Sequence, residues 1–117
     1  MSPTAGRIRD RSTFRALRRP AGVASRGPIR ASYLPPIGSD DEALARVGYV
    51  IGRRCGNAVY RNRLRRRCRA AVAEAAKGVP AGTYLIRPDP EAADLAYGDL
   101  ARSVGEAMAA AAGRAAR

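Results

Sequence analysis

At 117 residues, 46% of them hydrophobic, and with a formal net charge of +12, the chain suits one domain around a modest, alanine-rich core. It is neither disordered throughout nor balanced like a neutral enzyme. No apolar run approaches the ~20 residues that a membrane span requires and no secretory apolar region stands near the start, so a cytoplasmic protein is expected.

Met1 to Arg9 reads as a basic arm without periodicity, mobile until it meets a partner. DRSTFRALRR, residues 10–19, predicts a short amphipathic helix capped by Asp10 or Ser12, with Phe14 and Leu17 on one side and Pro20 after its end. Gly22 to Pro28 reads as an irregular or weakly paired approach. Ile29 to Leu34 alternates and stops at Pro35-Pro36, which predicts a strand with Ile29, Ala31 and Tyr33 on one face. Asp40, Asp41 and Glu42 follow beside a Gly-Ser turn and read as solvated loop rather than as a metal site.

RVGYVIG, residues 46–52, predicts a second strand with Val47, Tyr49 and Ile51 facing one way. A long helix is expected from about Asn57, its cap, to Ala76, with Gly78 just beyond. Tyr60, Leu64, Cys68, Ala71, Val72 and Ala75 fall within roughly 120° of one another at ~100° per residue, a stripe expected to be buried. GTYLIR, residues 82–87, predicts a further strand closed by Pro88 and Pro90. The segment from Glu91 to Ala112 predicts a final helix with Leu100, Val104, Met108 and Ala111 inward and a frayed tail over 113–117. The order helix, strand, strand, long helix, strand, helix makes the class α+β with a small sheet.

The charge is a patch: residues 1–69 hold 17 arginines and 4 acids, net +13, whereas residues 70–117 hold 5 basic and 6 acidic groups, net −1. Such a concentration attracts polyanions through phosphate contacts and counterion release. Lys77 is the single lysine among 22 basic residues, a bias that a G+C-rich coding sequence explains as well as selection for bidentate phosphate binding does. Cys55 and Cys68 fit neither a zinc spacing nor a disulfide framework, and there is no histidine to complete a metal set.

The centre of the patch is GRRCGNAVYRNRLRRRCR, residues 52–69, with eight arginines and no acid. Projected on a helix, Arg61, Arg65 and Arg69 form a row with Asn62 beside it, Arg66 lies opposite the core, and Arg63 with Arg67 occupies the other flank. An ordinary solvated face mixes signs, because like charges at i, i+4 cost a few tenths of a kcal/mol each. Arginine forks bind phosphate bidentately, and Asn62 can reach a base edge, a 2′-hydroxyl or a carbonyl. Gly52 and Gly56 permit close backbone approach, while Arg53, Arg54 and the helix N-terminus direct positive potential at the same place. Structured RNA fits these features best.

The same stretch resembles the signature of the bacterial ribonuclease P protein component. Arg53-Arg54 match its basic pair, Gly56-Asn57-Ala58-Val59 its glycine turn, Arg61-Asn62-Arg63 its central triplet, and Arg65, Arg66 and Arg69 its later basic steps. RSTFRAL, RVGYVIG, GTYLIRP and LAYGDL resemble its first helix, flanking strands and last helix in order. The resemblance implies a single-domain two-layer α/β sandwich with about four strands, three helices and a left-handed βαβ crossover. It also implies a protein that joins a catalytic RNA subunit using Mg²⁺, the holoenzyme removing the 5′ leader of precursor tRNA by endonucleolytic cleavage.

In that scheme Arg53, Arg54, Asn57, Arg61, Asn62, Arg63, Arg65, Arg66, Arg67 and Arg69 meet the RNA subunit. Phe14, Arg15, Arg18, Ile29, Ala31 and Tyr33 line a groove for the single-stranded leader. No residue of the protein is assigned to catalysis, and no membrane or DNA partner is expected. Arg18 replaces a common second aromatic, and Ala96 stands where Ser or Thr usually caps the last helix. The alternative is a structural RNA-binding protein of ribosomal-protein type with no part in cleavage; nothing resembles a helix-turn-helix or palindromic DNA reader.

Overall fold

The computed structural model describes residues 5–7, 15–36 and 45–116. Five strands form one mixed sheet: β1 (Ala5–Arg7), β2 (Gly22–Arg26), β3 (Ile29–Leu34), β4 (Ala45–Tyr49) and β5 (Gly82–Pro88), in the order β1-β4-β5-β3-β2. β2, β3 and β5 pair antiparallel, while β4 runs parallel to both β5 and β1. Two α-helices accompany the sheet, α1 (Ala58–Ala75) and α2 (Tyr97–Ala115), with short 3-10 turns η1 (Arg53–Cys55) and η2 (Pro90–Asp94). The α+β class matches the expectation from the element order, and the α1 crossover between parallel β4 and β5 matches what the family resemblance implies.

Several boundaries differ from it. Part of the basic arm, Ala5–Arg7, pairs with β4 as a short edge strand. Within the segment read as irregular or weakly paired, Gly22–Arg26 is the fully paired strand β2, joined to β3 by the two-residue turn Gly27-Pro28, where Gly27 adopts φ 54. Glycine in the first turn position and proline in the second suit a tight hairpin, a signal hidden by the weak apolarity of β2. The final helix starts at Tyr97, because Leu95 and Ala96 are extended and η2 closes just before them. It runs on through Ala115, where a frayed tail was expected. The predicted first helix lies largely outside the described residues, which include only its closing turn, with Arg18 N–H donating to Arg15 O and Arg19 N–H to Ala16 O.

Strand alternation sorts the sheet into two faces. Ala24, Ile29, Ala31, Tyr33, Ala45, Val47, Tyr84 and Ile86 point into the main core with Leu64, Cys68, Ala71 and Val72 of α1 and Leu100, Val104, Ala107, Met108 and Ala111 of α2. Tyr33 and Tyr84 meet with ring centroids 4.9 Å apart and donate their hydroxyls to Ala81 O and Pro80 O. Both polar tips are therefore satisfied inside the core. On the other face a smaller cluster joins Leu17 and Leu85, with Leu34 and Val50 against it.

β2 and α2 approach each other closely at Gly22. A Cβ on Gly22 would sit 1.9 Å from Ala111 O and 3.0 Å from Ala115 N, backbone atoms that cannot turn aside. Gly22→Ala is expected to destabilise the fold by roughly 1–3 kcal/mol or more through overpacking. Gly52→Ala, where nothing lies within 4 Å, is the matched control and leaves stability unchanged. Urea unfolding of the two variants beside the parent checks this, and equal midpoints would refute the packing argument.

Candidate nucleic-acid interface

The basic motif begins in a loop pinned from beneath. Cys55 is buried and its thiol faces Pro88 O at 3.7 Å, a weak hydrogen bond that ties the loop to the end of β5. Cys55 N–H donates to Gly52 O and Gly56 N–H to Arg53 O, closing η1 so that Arg53 and Arg54 are left exposed. Cys55, without a reading in the sequence, is thus the loop's anchor. Gly56 has φ 112, a conformation that favours glycine, and Asn57 then caps α1 by accepting from Tyr60 N–H at 3.1 Å. The Asn57 carbonyl is committed to the helix, which leaves its amide N–H groups as donors.

Along α1 the arginines differ in their surroundings. Arg63, Arg66 and Arg69 are exposed and Arg61 and Arg65 partly buried. Arg65 donates to Asn62 Oδ1 at 3.0 Å, so the triplet asparagine steers a neighbouring guanidinium. Arg69 lies 6.0 Å above the Tyr49 ring. Arg61 Nε is buried without a hydrogen-bond partner among the described residues. Arg67 differs from all of these: its guanidinium donates to Ala93 O at 3.2 Å and to Leu95 O. Expected on the RNA-facing flank, it instead clamps the approach to α2, whose cap residue Ala96 supplies no side-chain hydrogen bond.

None of these guanidinium groups pairs with a carboxylate among the described residues, where the ion pair present is Arg102 with Asp99. The charges also oppose the helix dipole: α1 has no acid in its first turn and no base in its last. Such an arrangement is poor for helix stability and well suited to an external anion. Burial pushes the Cys68 thiol up to about 11 and raises that of Cys55, so both stay protonated and unreactive near neutral pH. Among the described residues no three His, Cys, Asp or Glu side chains are grouped to hold a metal. Asp40, Asp41 and Glu42 lie outside the described residues.

Two expectations about exposure are corrected. Tyr60, assigned to the buried stripe, is 58% exposed, because the first turn of α1 projects beyond the core that covers Leu64 and Cys68. Ile29, Ala31 and Tyr33, expected in the leader groove, are 1%, 0% and 6% exposed and pack in the main core. The strand phase places their neighbours on the open face instead. Across that face run the rows Ser25–Arg30–Arg87, Val23–Ser32–Leu85–Gly48 and Leu34–Thr83–Arg46. Arg15 and Arg18 are exposed near its edge in sequence, beside buried Leu17, while Phe14 lies outside the described residues. Arg30 and Arg87, directly opposed on antiparallel strands and both exposed, were not singled out from the sequence. The alternation of IRASYL and TYLIR carries that signal.

The family model for Ribonuclease P matches residues 2–112. The Ribonuclease P protein component of Nocardioides sp. is 36% identical over 107 residues, covering 89% of each chain, and that of Kocuria rhizophila is 35% identical over 112 residues, covering 95% of this chain and 96% of the relative. Among solved structures, the RNase P protein of Thermotoga maritima superposes with a TM-score of 0.74 at 19% identity, over 87% of this chain and 94% of that one. The Staphylococcus aureus RNase P protein gives a TM-score of 0.69 at 17% identity, over 87% of this chain and 91% of that one. The structural likenesses establish the fold, and together with the sequence matches along nearly the whole length they place this chain in the ribonuclease P protein component family.

Proposed function

We propose that this protein docks on the catalytic RNA subunit of ribonuclease P through the arginine face of α1 and the η1 loop, and that the open sheet face takes the single-stranded 5′ leader of precursor tRNA. The observation that carries the reading is the arginine array itself, unpaired with any carboxylate among the described residues and crowded against the preference of the helix. Arg53, Arg54, Arg61, Arg63, Arg65, Arg66 and Arg69 engage phosphates, with Asn62 and the Asn57 amide as neutral donors. In this reading the cleavage chemistry and its Mg²⁺ belong to the RNA, as the family resemblance implies.

The leader reading rests on the Arg30–Arg87 pair. Like charges directly opposite across antiparallel strands are destabilising, and neither side chain has a partner among the described residues, so a bound anion would relieve the repulsion. Ser25, Ser32 and Thr83 add hydroxyls on the same face. With Tyr33 and Tyr84 turned into the core, the described part of this face has no aromatic ring for base stacking. Leader binding here is therefore dominated by phosphate contacts and tolerant of leader sequence, with Phe14 the aromatic that the family resemblance adds.

Reconstitution tests the whole reading. Purified protein alone should leave labelled precursor tRNA intact, and addition of a bacterial ribonuclease P RNA with Mg²⁺ should release the leader at the mature 5′ end. Cleavage at a comparable rate without RNA would overturn it, and ribosomal RNA as the species recovered with the protein from cells would favour the ribosomal-type alternative.

Arg65→Ala and Arg66→Ala should each weaken RNA-subunit binding and reduce the slope of log affinity against log salt by about 1, as loss of one phosphate contact does. Arg67→Ala should leave that slope alone and lower unfolding stability by about 1–2 kcal/mol through its lost carbonyl contacts. Binding titrations at several salt concentrations, paired with thermal melts, separate the two classes. For the sheet, Arg30→Ala and Arg87→Ala should weaken holoenzyme binding of precursor tRNA relative to mature tRNA. The salt slope of the leader-dependent part should fall by about 0.7 per arginine. An equal loss for mature tRNA would remove the leader from this face.

A further inference from the structure

The aromatic that sequence periodicity assigns to the core stands outside it, in the midst of the arginines. Tyr60 is 58% exposed and Val59 74% exposed, the two large apolar side chains that α1 leaves open to solvent. At i+3 from Tyr60 and i+4 from Val59 is Arg63, also exposed, so the apolar pair and a guanidinium share one patch of helix surface. No acid lies anywhere in residues 52–69 to oppose an anionic partner there.

The position of Tyr60 is prepared rather than incidental. Its backbone N–H is held by Asn57 Oδ1 at 3.1 Å, which fixes the first turn. Behind its root lies Gly56: a Cβ there would come 3.0 Å from Tyr60 Cβ and 3.4 Å from Cγ and Cδ2. The glycine turn thus backs the tyrosine closely, leaving more than half of the side chain uncovered. An aromatic with restricted freedom beside arginines has the composition of a base-stacking platform on a phosphate-binding surface.

We infer that Tyr60 stacks on an unpaired base of the RNA subunit, with Val59 packing beside it and Arg63 on an adjoining phosphate. The inference rests on the proposed docking of α1 on that RNA and names a contact that does not depend on charge. Because every base has a π face, the stack tolerates any base, but it requires one that is not sealed inside a duplex. The patch therefore selects a loop, bulge or junction, whereas the arginine row accepts any suitably spaced phosphates.

The test is equilibrium binding of the full chain to a bacterial ribonuclease P RNA at three salt concentrations, for parent, Tyr60→Phe, Tyr60→Leu and Tyr60→Ala, each with a thermal melt. Tyr60→Phe is expected to bind within about twofold of the parent, and Tyr60→Ala and Tyr60→Leu roughly tenfold more weakly, within the ~5- to 150-fold that one stacked base supports. The salt slope should be unchanged in all of them, unlike the arginine variants. Native affinity of Tyr60→Ala, or recovery by Tyr60→Leu, would overturn the stack while leaving the docking reading intact. Failure of the parent chain to bind the RNA would overturn the docking reading, and the stack with it. A loss that tracks a lowered melting temperature and is equal in Tyr60→Phe would make the side chain purely structural and refute the inference.

Discussion

Everything on the arginine-covered side of α1 depends on the burial of its opposite side. Leu64, Cys68, Ala71 and Val72 are each no more than 1% exposed, and Leu and Val side chains alone return ~1.5–3 kcal/mol apiece on full burial. Against this stand five arginine pairs at i, i+3 or i, i+4, namely 61–65, 65–69, 63–66, 63–67 and 66–69, each costing ~0.2–0.5 kcal/mol. The apolar term exceeds the repulsion, so the helix forms and its guanidinium groups are compelled to share one surface. Without that anchoring the same sequence has every electrostatic reason to spread out.

Within the surface the arginines are not equivalent, and the difference is one of freedom. Arg65 is steered by Asn62, Arg69 by the Tyr49 ring, and Arg67 is spent on the carbonyls of Ala93 and Leu95. Arg53, Arg54, Arg63 and Arg66 remain exposed without partners of their own among the described residues. A side chain held in place before binding loses less rotamer entropy when a ligand arrives, up to ~2 kcal/mol for a long cation. Steered arginines therefore contribute orientation, and unsteered ones contribute adaptable neutralisation. Lysine at a steered position would keep the charge but lose the planar fork that makes the steering possible.

Much of the architecture was legible because the long, strongly periodic elements obey local rules. Asn57 caps α1 as its position demanded, and Leu100, Val104, Met108 and Ala111 face inward as their spacing required. What misled was function read over pattern. Ile29, Ala31 and Tyr33 share an apolar face, and alternation alone sends that face into the core; matching them to a groove by family likeness set the strand one residue out of phase. Tyr60 failed for a different reason. The stripe it continues is real, but a periodic stripe says which side of a helix is apolar and not where the core beneath it ends. β2 was obscured because Ala24 is its one fully inward residue of any apolarity beside Gly22, and close packing on α2 requires residues that small.

Strand β5 is where the two candidate surfaces become one object. Its residues alternate between the core, with Tyr84 and Ile86, and the open face, with Thr83, Leu85 and Arg87. Its last residue, Pro88, receives the Cys55 thiol and so fixes the η1 loop from which α1 springs. The arginine face and the Arg30–Arg87 pair are consequently tied to the same seven-residue strand, with no hinge between them among the described residues. A polyanion held on α1 would therefore have a set orientation relative to any strand lying across the sheet. A small domain with a thin core can position two polyanions against each other in this way, because the strand that completes the core also carries both attachments.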